Sequence, residues 1–237
     1  MEMSVKELQK WLNNHGAKPK LKEDGIGGTL TKAAFIQVFI NKNAKPITKD
    51  QLLEIAKSLG DDSIKRIEAV GKVESNGSGW FDSGLPKILW ERHYFYRLTR
   101  QIINTATVGL ISSPKSGGYT TDVNKNGIND SWEKLAEAVC VNPDKAIMSV
   151  SIGKFQVMGS YYSELGYNQP IDMLWAARNS EYDHYKMLAG YIKMAKLIPA
   201  FLSISTIAHT NIPFVRGYNG PAWEKNDYAS KLAIAMR

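Results

Sequence analysis

The segment Ala69–Gly79 reads Ala-Val-Gly-Lys-Val-Glu-Ser-Asn-Gly-Ser-Gly and guides the interpretation of the whole chain. Apolar residues recur at three-residue spacing up to its centre, at Ile64, Ile67, Val70 and Val73. That spacing predicts a helix ending at Glu74, because the glycine- and serine-rich stretch that follows is typical of a turn. Trp80 and Phe81 come directly after this turn. The segment therefore predicts a carboxyl group at a helix end, close to aromatic side chains.

Such a position raises the pKa of a carboxyl group. A helix C-terminus carries partial negative charge, which disfavours the anion of Glu74. Aromatic neighbours exclude water from the same group and disfavour its anion further. A carboxyl group with a raised pKa can act as a general acid near neutral pH. The alternative is that Glu74 is an ordinary solvated acid at a helix end.

The composition is that of a globular protein with an anionic partner. The 237 residues suffice for one large domain, or for a small domain and a medium one, and 43% of them are hydrophobic. The net charge of +7 favours nucleic acid, a membrane surface or a cell-wall polymer as partner. Because the basic residues are scattered along the chain, nucleic acid is not singled out, and we expect no nucleic-acid partner.

The cysteine content and the apolar stretches suggest where the protein is made. The single cysteine, Cys140, excludes an intramolecular disulfide and is expected to be a small buried apolar residue. The N-terminus lacks the basic-then-apolar pattern of a signal peptide, and the apolar stretch 197–208 is too short to span a bilayer. We therefore expect a monomer that is made in the cytoplasm without stable membrane insertion.

The first forty residues predict two short amphipathic helices. Val5, Leu8 and Leu12 lie on one face of the first helix, and Thr29 or Thr31 is expected to cap the second. The segment Asp24–Gly28 between them is a turn rich in glycine. Two helices make a very small core, so this unit is expected to rest on its neighbour.

This segment resembles a small peptidoglycan-binding domain. The pattern is Val5-x2-Leu-Gln-x2-Leu12, then Asp24-Gly25-Ile-x-Gly28-x2-Thr31-x2-Ala34-Phe35. The resemblance implies a three-helix wall-binding domain over residues 1–42, although Gly27 stands where that family usually has an aromatic residue. The alternative is a helical cap that binds no ligand.

The rest of the chain is predicted to be mainly helical after a short linker, 41–46. Thr48 and Asp61-Asp62-Ser63 are expected to cap two helices, and short strands are expected around Trp80–Leu89. Further helices are predicted at about 131–147, 171–196, 198–208 and 227–236.

Five ordered blocks of residues 46–237 resemble the N-acetylmuramidase domain of modular phage endolysins. They are Ala69-Val-x2-Val-Glu-Ser-x-Gly-x-Gly-Trp-Phe81, Pro86-Lys-Ile-Leu-Trp-Glu-Arg-His-x-Phe-Tyr96, Gly117-Gly-Tyr119, Ser151-Ile-Gly-Lys-Phe-Gln-Val-Met-Gly159 and Gly217-Tyr-Asn-Gly-Pro221. The resemblance implies a lysozyme-like, α-rich catalytic domain with a short β-hairpin. It also implies hydrolysis of the β-1,4 bond between N-acetylmuramic acid and N-acetylglucosamine in peptidoglycan, with holin-dependent release of the enzyme to the wall.

The resemblance assigns expected roles to several side chains. Glu74 takes the position of the catalytic acid, and Glu91 is the first candidate to orient water or to stabilise positive charge. For Glu91 the alternative is a structural ion pair with Arg92 or Arg97, and Asp82 is a weaker candidate for the second catalytic group. His93 is expected to be a packing residue.

Two further blocks are expected to bind the sugar. Ser151 and Gln156 belong to a block that approaches the sugar in lysozyme-like folds, although a buried glutamine that ties two loops together is the alternative. Tyr218 and Asn219 offer an aromatic face and an amide, or else form an Asn-Gly turn with a packed tyrosine.

A calcium loop is predicted independently of these blocks. Residues 122–133 fit the pattern D-x-[DN]-x-[DN]-G-x5-E at every specified position. The expected ligands of a structural Ca²⁺ are Asp122, Asn124, Asn126, Ile128 through its carbonyl, Asp130 and Glu133. The alternative is a surface turn rich in Asn and Asp. No cofactor is expected for catalysis.

Two rival functions use the same residues. A lytic transglycosylase also employs one glutamate, but the 6-hydroxyl of the sugar replaces water and gives an anhydro product. A non-catalytic wall-binding protein would need no acid at Glu74.

Overall fold

The computed structural model describes residues 2–75 and 77–237, without the side chains of Pro221 and Ala222. Asn76, in the turn after Glu74, lies outside the described residues. The chain forms two compact units, and each is built from two stretches of sequence. Unit 1 comprises Met1–Ala44 and Trp80–Asn179, and unit 2 comprises Lys45–Gly79 and Ser180–Arg237.

Unit 1 contains helices and two small antiparallel sheets. Its elements are α1 (Val5–Asn14), α2 (Thr29–Phe39), β1 (Ile88–Trp90), α5 (Arg92–Thr99), β2 (Ile103–Thr105), β3 (Gly109–Ser112), α6 (Asp130–Val139), α7 (Pro143–Met148), β4 (Val150–Ile152), β5 (Val157–Met158), the 3₁₀ turn η1 (Gly159–Tyr161) and α8 (Pro170–Asn179). One sheet has the order β1-β4-β5, and β2 pairs with β3 in the other. The hairpin of β4 and β5 carries the predicted sugar-binding block, with Ser151 opposite Met158.

Unit 2 is helical in the part of the chain that the structure describes. Its elements are α3 (Lys49–Ser58), α4 (Lys65–Glu74), α9 (Glu181–Met194), α10 (Ile198–Leu202), α11 (Ala208–Asn219), the 3₁₀ segment η2 (Gly220–Asn226) and α12 (Tyr228–Ala235). Helix α12 packs against both α4 and α11. The mainly α fold class is therefore confirmed.

The N-terminal segment shares the core of unit 1. Phe35 and Phe39 of α2 contact the ring of Trp132 on α6, at centroid distances of 6.0 and 5.5 Å. Trp132 is fully buried and donates from its indole nitrogen to the carbonyl of Pro86. Two short helices bury too little apolar surface alone, which explains why they rest on α6 as expected.

The predicted division into domains 1–42 and 46–237 stays a prediction about function. Residues 2–44 contain α1 and α2, without the third helix that the resemblance implies.

Gly27 departs from the wall-binding pattern for a steric reason. A Cβ atom at this position would lie 2.4 Å from the Cβ of Cys140, so a side chain here would require the backbone to move. Cys140 is a free thiol that is half-buried, whereas the sequence predicted a buried one, and burial raises its pKa to about 11. The aromatic residue of the family pattern therefore has no room in this chain.

The predicted starts of three helices have different outcomes. Gly28, not Thr29 or Thr31, caps α2, and Thr31 instead accepts a hydrogen bond from the amide of Gln9. Of Asp61-Asp62-Ser63, Ser63 accepts the N–H of Lys65, the first residue of α4, at 3.2 Å. Asp61 instead binds the guanidinium of Arg66 and the backbone N–H of Ser63. The predicted Thr48 cap of α3 is confirmed, with Gln51 completing a capping box.

The predicted helix over 198–208 was also wrong. Helix α10 ends at Leu202, and a new helix, α11, begins at Ala208 and reaches Asn219. The buried side chain of Asn211 accepts from the N–H of Ser205 and donates to the carbonyls of Ser205 and Ala229, so it holds the connection between the helices. As a consequence, Tyr218 and Asn219 stand in the last turn of a helix.

Candidate active site

Glu74 is the last residue of α4, as the sequence predicted. Its half-buried carboxyl group accepts one hydrogen bond, from the side-chain amide of Asn219 to Oε1, at 2.9 Å. Burial raises the pKa of Glu74 to about 7, while the hydrogen bond from Asn219 acts in the opposite direction. A carboxyl group in this state holds its proton at slightly acidic pH and can release it near neutrality.

Tyrosines of unit 2 surround Glu74. Burial and the negative charge of Glu74 together raise the pKa of Tyr218 and that of Tyr228. The ring of Tyr218 stacks on Phe214 at 5.6 Å and meets Tyr191 edge-on at 5.4 Å. Tyr218 is thus packed among aromatic rings, and its predicted role as a sugar contact stays a prediction.

The close approach of two helices positions α4. A Cβ atom at Gly71 would lie 2.2 Å from the hydroxyl oxygen of Tyr185 on α9, so only glycine fits here. Ser75, just beyond the helix end, donates from its hydroxyl to the carbonyl of Gly71 at 2.5 Å. Together these contacts fix the last turn of α4 and the direction in which Glu74 leaves it.

Glu91 lies in unit 1 and has different partners. It precedes α5, and its Oε2 atom accepts from the hydroxyl of Tyr119 at 2.8 Å and lies 3.2 Å from Nδ1 of His93. Arg92 and Arg97, the partners of the alternative ion pair, have other contacts. Arg92 donates to the carbonyls of Lys115 and Ser116, and Arg97 lies over the ring of Tyr94.

Sequence reasoning missed two residues of the Glu91 site. His93 was expected only to pack, yet it borders the carboxylate of Glu91. Tyr119 was noticed only as part of the Gly117-Gly-Tyr119 block, which gives no sign of a hydrogen bond across 28 positions. Asp82, the weaker candidate, is exposed in the turn between Phe81 and Leu85.

The β4–β5 hairpin holds Ser151 and Gln156 close together. The hydroxyl of Ser151 donates to Oε1 of Gln156 at 3.1 Å, and Nε2 of Gln156 donates to the carbonyl of Gly153 at 2.8 Å. Gln156 is exposed and has a φ of 51°, an unfavourable backbone state for a residue other than glycine. The alternative, that Gln156 is a buried residue tying two loops together, is therefore wrong. An exposed, fixed amide at a strained position is suited to ligand contact, which stays a prediction.

The predicted calcium loop is held together by hydrogen bonds to its own side chains. Asp122 accepts the backbone N–H groups of Asn126 and Gly127, and Glu133 lies in the first turn of α6. The carboxylate of Asp130 accepts the N–H of Val123, and the amides of Asn124 and Asn126 donate to Glu133. Among the described residues, no three His, Cys, Asp or Glu side chains gather as a metal-binding group. The calcium site therefore stays a prediction.

The described residues contain no helix that is both long and apolar enough to cross a membrane.

Two comparisons with known proteins give a match. The family model described as Muramidase, N-acetylmuramidase, matches residues 63–237. A solved structure, the Burkholderia AP3 phage endolysin, is similar with a TM-score of 0.69 and 25% sequence identity. That match covers 100% of this chain and 96% of the endolysin chain. No curated protein matches this chain.

Proposed function

The chain belongs to the N-acetylmuramidase family, and from this premise we propose that it is a phage endolysin whose general acid is Glu74. It is a glycoside hydrolase that acts on peptidoglycan. The similar Burkholderia AP3 structure is a phage endolysin, which supports a role in lysis of the host at the end of infection.

The observation that carries the assignment of Glu74 is its environment. Its pKa of about 7 leaves the carboxyl group largely protonated in slightly acidic solution, as a proton donor must be. Asn219 donates to Oε1, and such a contact fixes the orientation of the carboxyl group. The anion formed by proton transfer also accepts this hydrogen bond, so the amide stabilises the product state of the transfer.

In the proposed reaction Glu74 protonates the glycosidic oxygen between N-acetylmuramic acid and N-acetylglucosamine. The bond from the anomeric carbon to that oxygen breaks through an oxocarbenium-like state, and N-acetylglucosamine leaves with the new hydroxyl group. A water molecule adds to the anomeric carbon, and its proton returns the site to its starting state.

We assign Glu91 to the second role. Oε2 accepts from the hydroxyl of Tyr119 and lies 3.2 Å from Nδ1 of His93. Oε1 is proposed to accept from water or to face the positive charge that develops on the sugar. Ser151, Gln156, Tyr218 and Asn219 are proposed to bind the substrate, with Asn219 also holding Glu74.

The substitution Glu74→Gln tests the assignment. Loss of the general acid is expected to lower kcat on purified murein by about 10² to 10⁴-fold. Glu68→Gln is the matched control, because it makes the same exchange on the same helix. If Glu74→Gln digests murein as the wild type does, Glu74 is not the acid. Mass spectrometry of the digest identifies the reaction, because a hydrolysed product is heavier by one water than the anhydro product of a transglycosylase.

The N-terminal segment is proposed to bind the wall. Ile26 and Leu30, at the turn and at the start of α2, are 69% and 64% exposed, and these two apolar side chains are available for contact with a ligand. The inactive Glu74→Gln variant should sediment with murein, and Ile26→Ser should weaken that sedimentation. Unchanged sedimentation would favour the alternative of a helical cap without a ligand.

Release to the wall is proposed to depend on a holin, by analogy with the endolysin that the chain resembles. Co-expression in a bacterial host with and without a holin tests this point, since lysis should then require both proteins.

A structural Ca²⁺ is proposed for the loop 122–133, on the basis of its complete sequence pattern and the two N–H groups that Asp122 accepts. Saturating calcium at about 100 times the Kd should stabilise the protein by about 2.7 kcal/mol. For a chain of this size that is a rise in Tm of roughly 5–10 °C over chelator-treated protein. No shift at millimolar calcium, or an equal shift in Glu133→Gln, would exclude the site.

A further inference from the structure

A cavity of about 270 Å³ in unit 1 has no role in the reaction proposed above. Arg92, Gly118 and Thr120 line it, and these residues are the chain neighbours of Glu91 and Tyr119. Because Tyr119 donates to Glu91, the cavity adjoins the segment that holds the second candidate carboxylate. A ligand in the cavity would therefore lie next to this part of the site.

Two cations line the cavity. Lys134 is only 7% exposed, and its Nζ donates to the carbonyl of Gly118 at 2.8 Å and to the hydroxyl of Thr120 at 3.0 Å. An ammonium group has three donors, so one remains for a ligand. The pKa of Lys134 is lowered mainly by burial and further by the charge of Arg92, while Asp130 acts in the opposite direction. The two cations are thus close enough to repel each other.

The guanidinium of Arg92 is fixed in place. Its Nε and Nη2 atoms donate to the carbonyls of Lys115 and Ser116, each at 2.9 Å. Gly118 has a φ of +77°, and a Cβ atom there would lie 2.6 Å from Nη1. Only glycine permits this approach, so the guanidinium of Arg92 lies directly against the backbone at Gly118. Further N–H groups of Arg92 remain for an anion, since a guanidinium carries five.

The chemistry of the lining favours an anion over a sugar ring. Among the described residues that line the cavity, Asp130 is the one carboxylate against the two cations, and none is aromatic. Sugar rings usually need an aromatic face or several neutral polar groups, whereas a carboxylate needs a fixed guanidinium and an ammonium group. The volume is just below the range of pockets for drug-sized ligands, so it suits a group of about one amino acid.

We propose that this cavity binds a carboxylate on the peptide stem of the peptidoglycan strand whose glycan is cut. The inference rests on the proposed function, because it assumes peptidoglycan as the substrate. Arg92 and Lys134 pair with the carboxylate, and the hydroxyl of Thr120, which accepts from Lys134, donates its own hydrogen to it. Binding of the stem adds affinity beyond that of the glycan.

The test compares two forms of the same soluble murein. One form is native, and in the other the carboxylates have been converted to amides with carbodiimide and excess ammonium. The wild type is expected to show a KM about tenfold higher on the amidated form, as loss of one charge-assisted pair predicts. All assays contain a chelator, because two of the expected calcium ligands also line the cavity.

Two variants are matched with controls outside the cavity. Lys134→Met should lose most of the difference in KM. Lys57→Met, which removes one exposed cation on α3 of unit 2, should keep that difference. Lys134 also holds the backbone of residues 118–120, so a second variant avoids the interior. Val123 lines the rim and is 69% exposed, and Val123→Glu should reduce the difference by repelling the carboxylate. Gln101→Glu adds the same charge at an exposed position outside the cavity and should not.

The proposal is overturned if the wild type has equal KM on both forms. It is equally overturned if Val123→Glu and Gln101→Glu change the difference to the same extent, because net charge would then explain the effect. Failure of the proposed function is a separate result, since Glu74→Gln would then retain activity on both forms of murein.

Discussion

Glu74 and Glu91 are two carboxyl groups in two different environments. Glu74 ends a helix of unit 2 among tyrosines and accepts one hydrogen bond from a neutral amide. Glu91 precedes a helix of unit 1, where a tyrosine hydroxyl donates to one of its oxygens and an imidazole nitrogen lies 3.2 Å from the same atom. Burial raises the pKa of Glu74 to about 7, which favours its protonated form.

Two glutamates in such different environments can take the two carboxyl roles of a glycosidase, the proton donor and the group that stabilises positive charge. A proton donor has to be neutral before the bond breaks, and a group that stabilises positive charge has to be an anion. The following predictions separate these roles, in order of decreasing expected effect.

Replacing the carboxylate of Glu91 should lower activity but leave the alkaline limb of the pH profile unchanged. Glu91→Gln is expected to lower kcat on murein by about 10²-fold, as loss of one charge-stabilising group does. Glu164→Gln, an exposed glutamate of the same unit, is the control. Near-normal kcat in Glu91→Gln would make Glu91 a structural partner of Tyr119 and His93. Glu91 would then have no role in catalysis to set beside that of Glu74.

The pH profile should report the proton on Glu74. As pH rises through about 7 the general acid ionises, so kcat should fall about tenfold per pH unit beyond that point. Asn219→Leu removes the hydrogen bond that favours the anion, so the alkaline limb should move to higher pH. Initial rates on soluble murein between pH 5 and about 9 measure both effects. A limb that moves to lower pH in Asn219→Leu would contradict the assigned role of this amide.

Tyr119→Phe tests the hydrogen bond to Glu91 alone. Loss of one hydrogen bond to a charged group costs about 1.5–3 kcal/mol when it is fully effective, and less at this partly exposed site. We therefore expect kcat to fall several-fold, with the alkaline limb unchanged, because Glu74 keeps its own environment. If the alkaline limb moves in Tyr119→Phe, this tyrosine affects the pKa of Glu74. The environments of Glu74 and Glu91 would then not be independent.

The smallest predicted effect is on stability. The pKa of Glu74 rises from 4.5 to about 7 on folding, so the folded protein holds this proton more tightly than the unfolded chain. Below pH 4.5 the difference vanishes because both states are protonated, and the cost to folding grows as pH rises to about 7. Glu74→Gln should therefore raise the free energy of unfolding by about 1 kcal/mol above neutral pH, after allowance for partial exposure.

Denaturant unfolding at acidic and at alkaline pH measures this gain. Glu68→Gln is the control for the exchange of a carboxyl group for an amide on the same helix. A gain in Glu74→Gln that is equal at both ends of the range would mean that its cause is not the proton.

Much of the local structure follows from local sequence. The Ser4–Glu7 and Thr48–Gln51 capping boxes begin α1 and α3, and apolar spacing followed by a glycine-rich turn ends α4 at Glu74. These features depend on side chains within one or two helical turns, so a single sequence contains them. Where a distant group competed, local reasoning was wrong. Thr31 is engaged by Gln9 rather than capping α2, and Asn211 holds the connection before α11.

The sequence by itself determined that this chain is mainly helical, that Glu74 ends a helix before a turn, and that its blocks belong to a muramidase. Only the tertiary structure decided the chemical state of that residue. Asn219 lies 145 positions from Glu74 along the chain, and Gly71 meets Tyr185 through a contact that no local pattern encodes. The reason is physical: helix ends and turns depend on short-range backbone and side-chain preferences, whereas a pKa depends on burial and on the few polar groups that folding brings within reach.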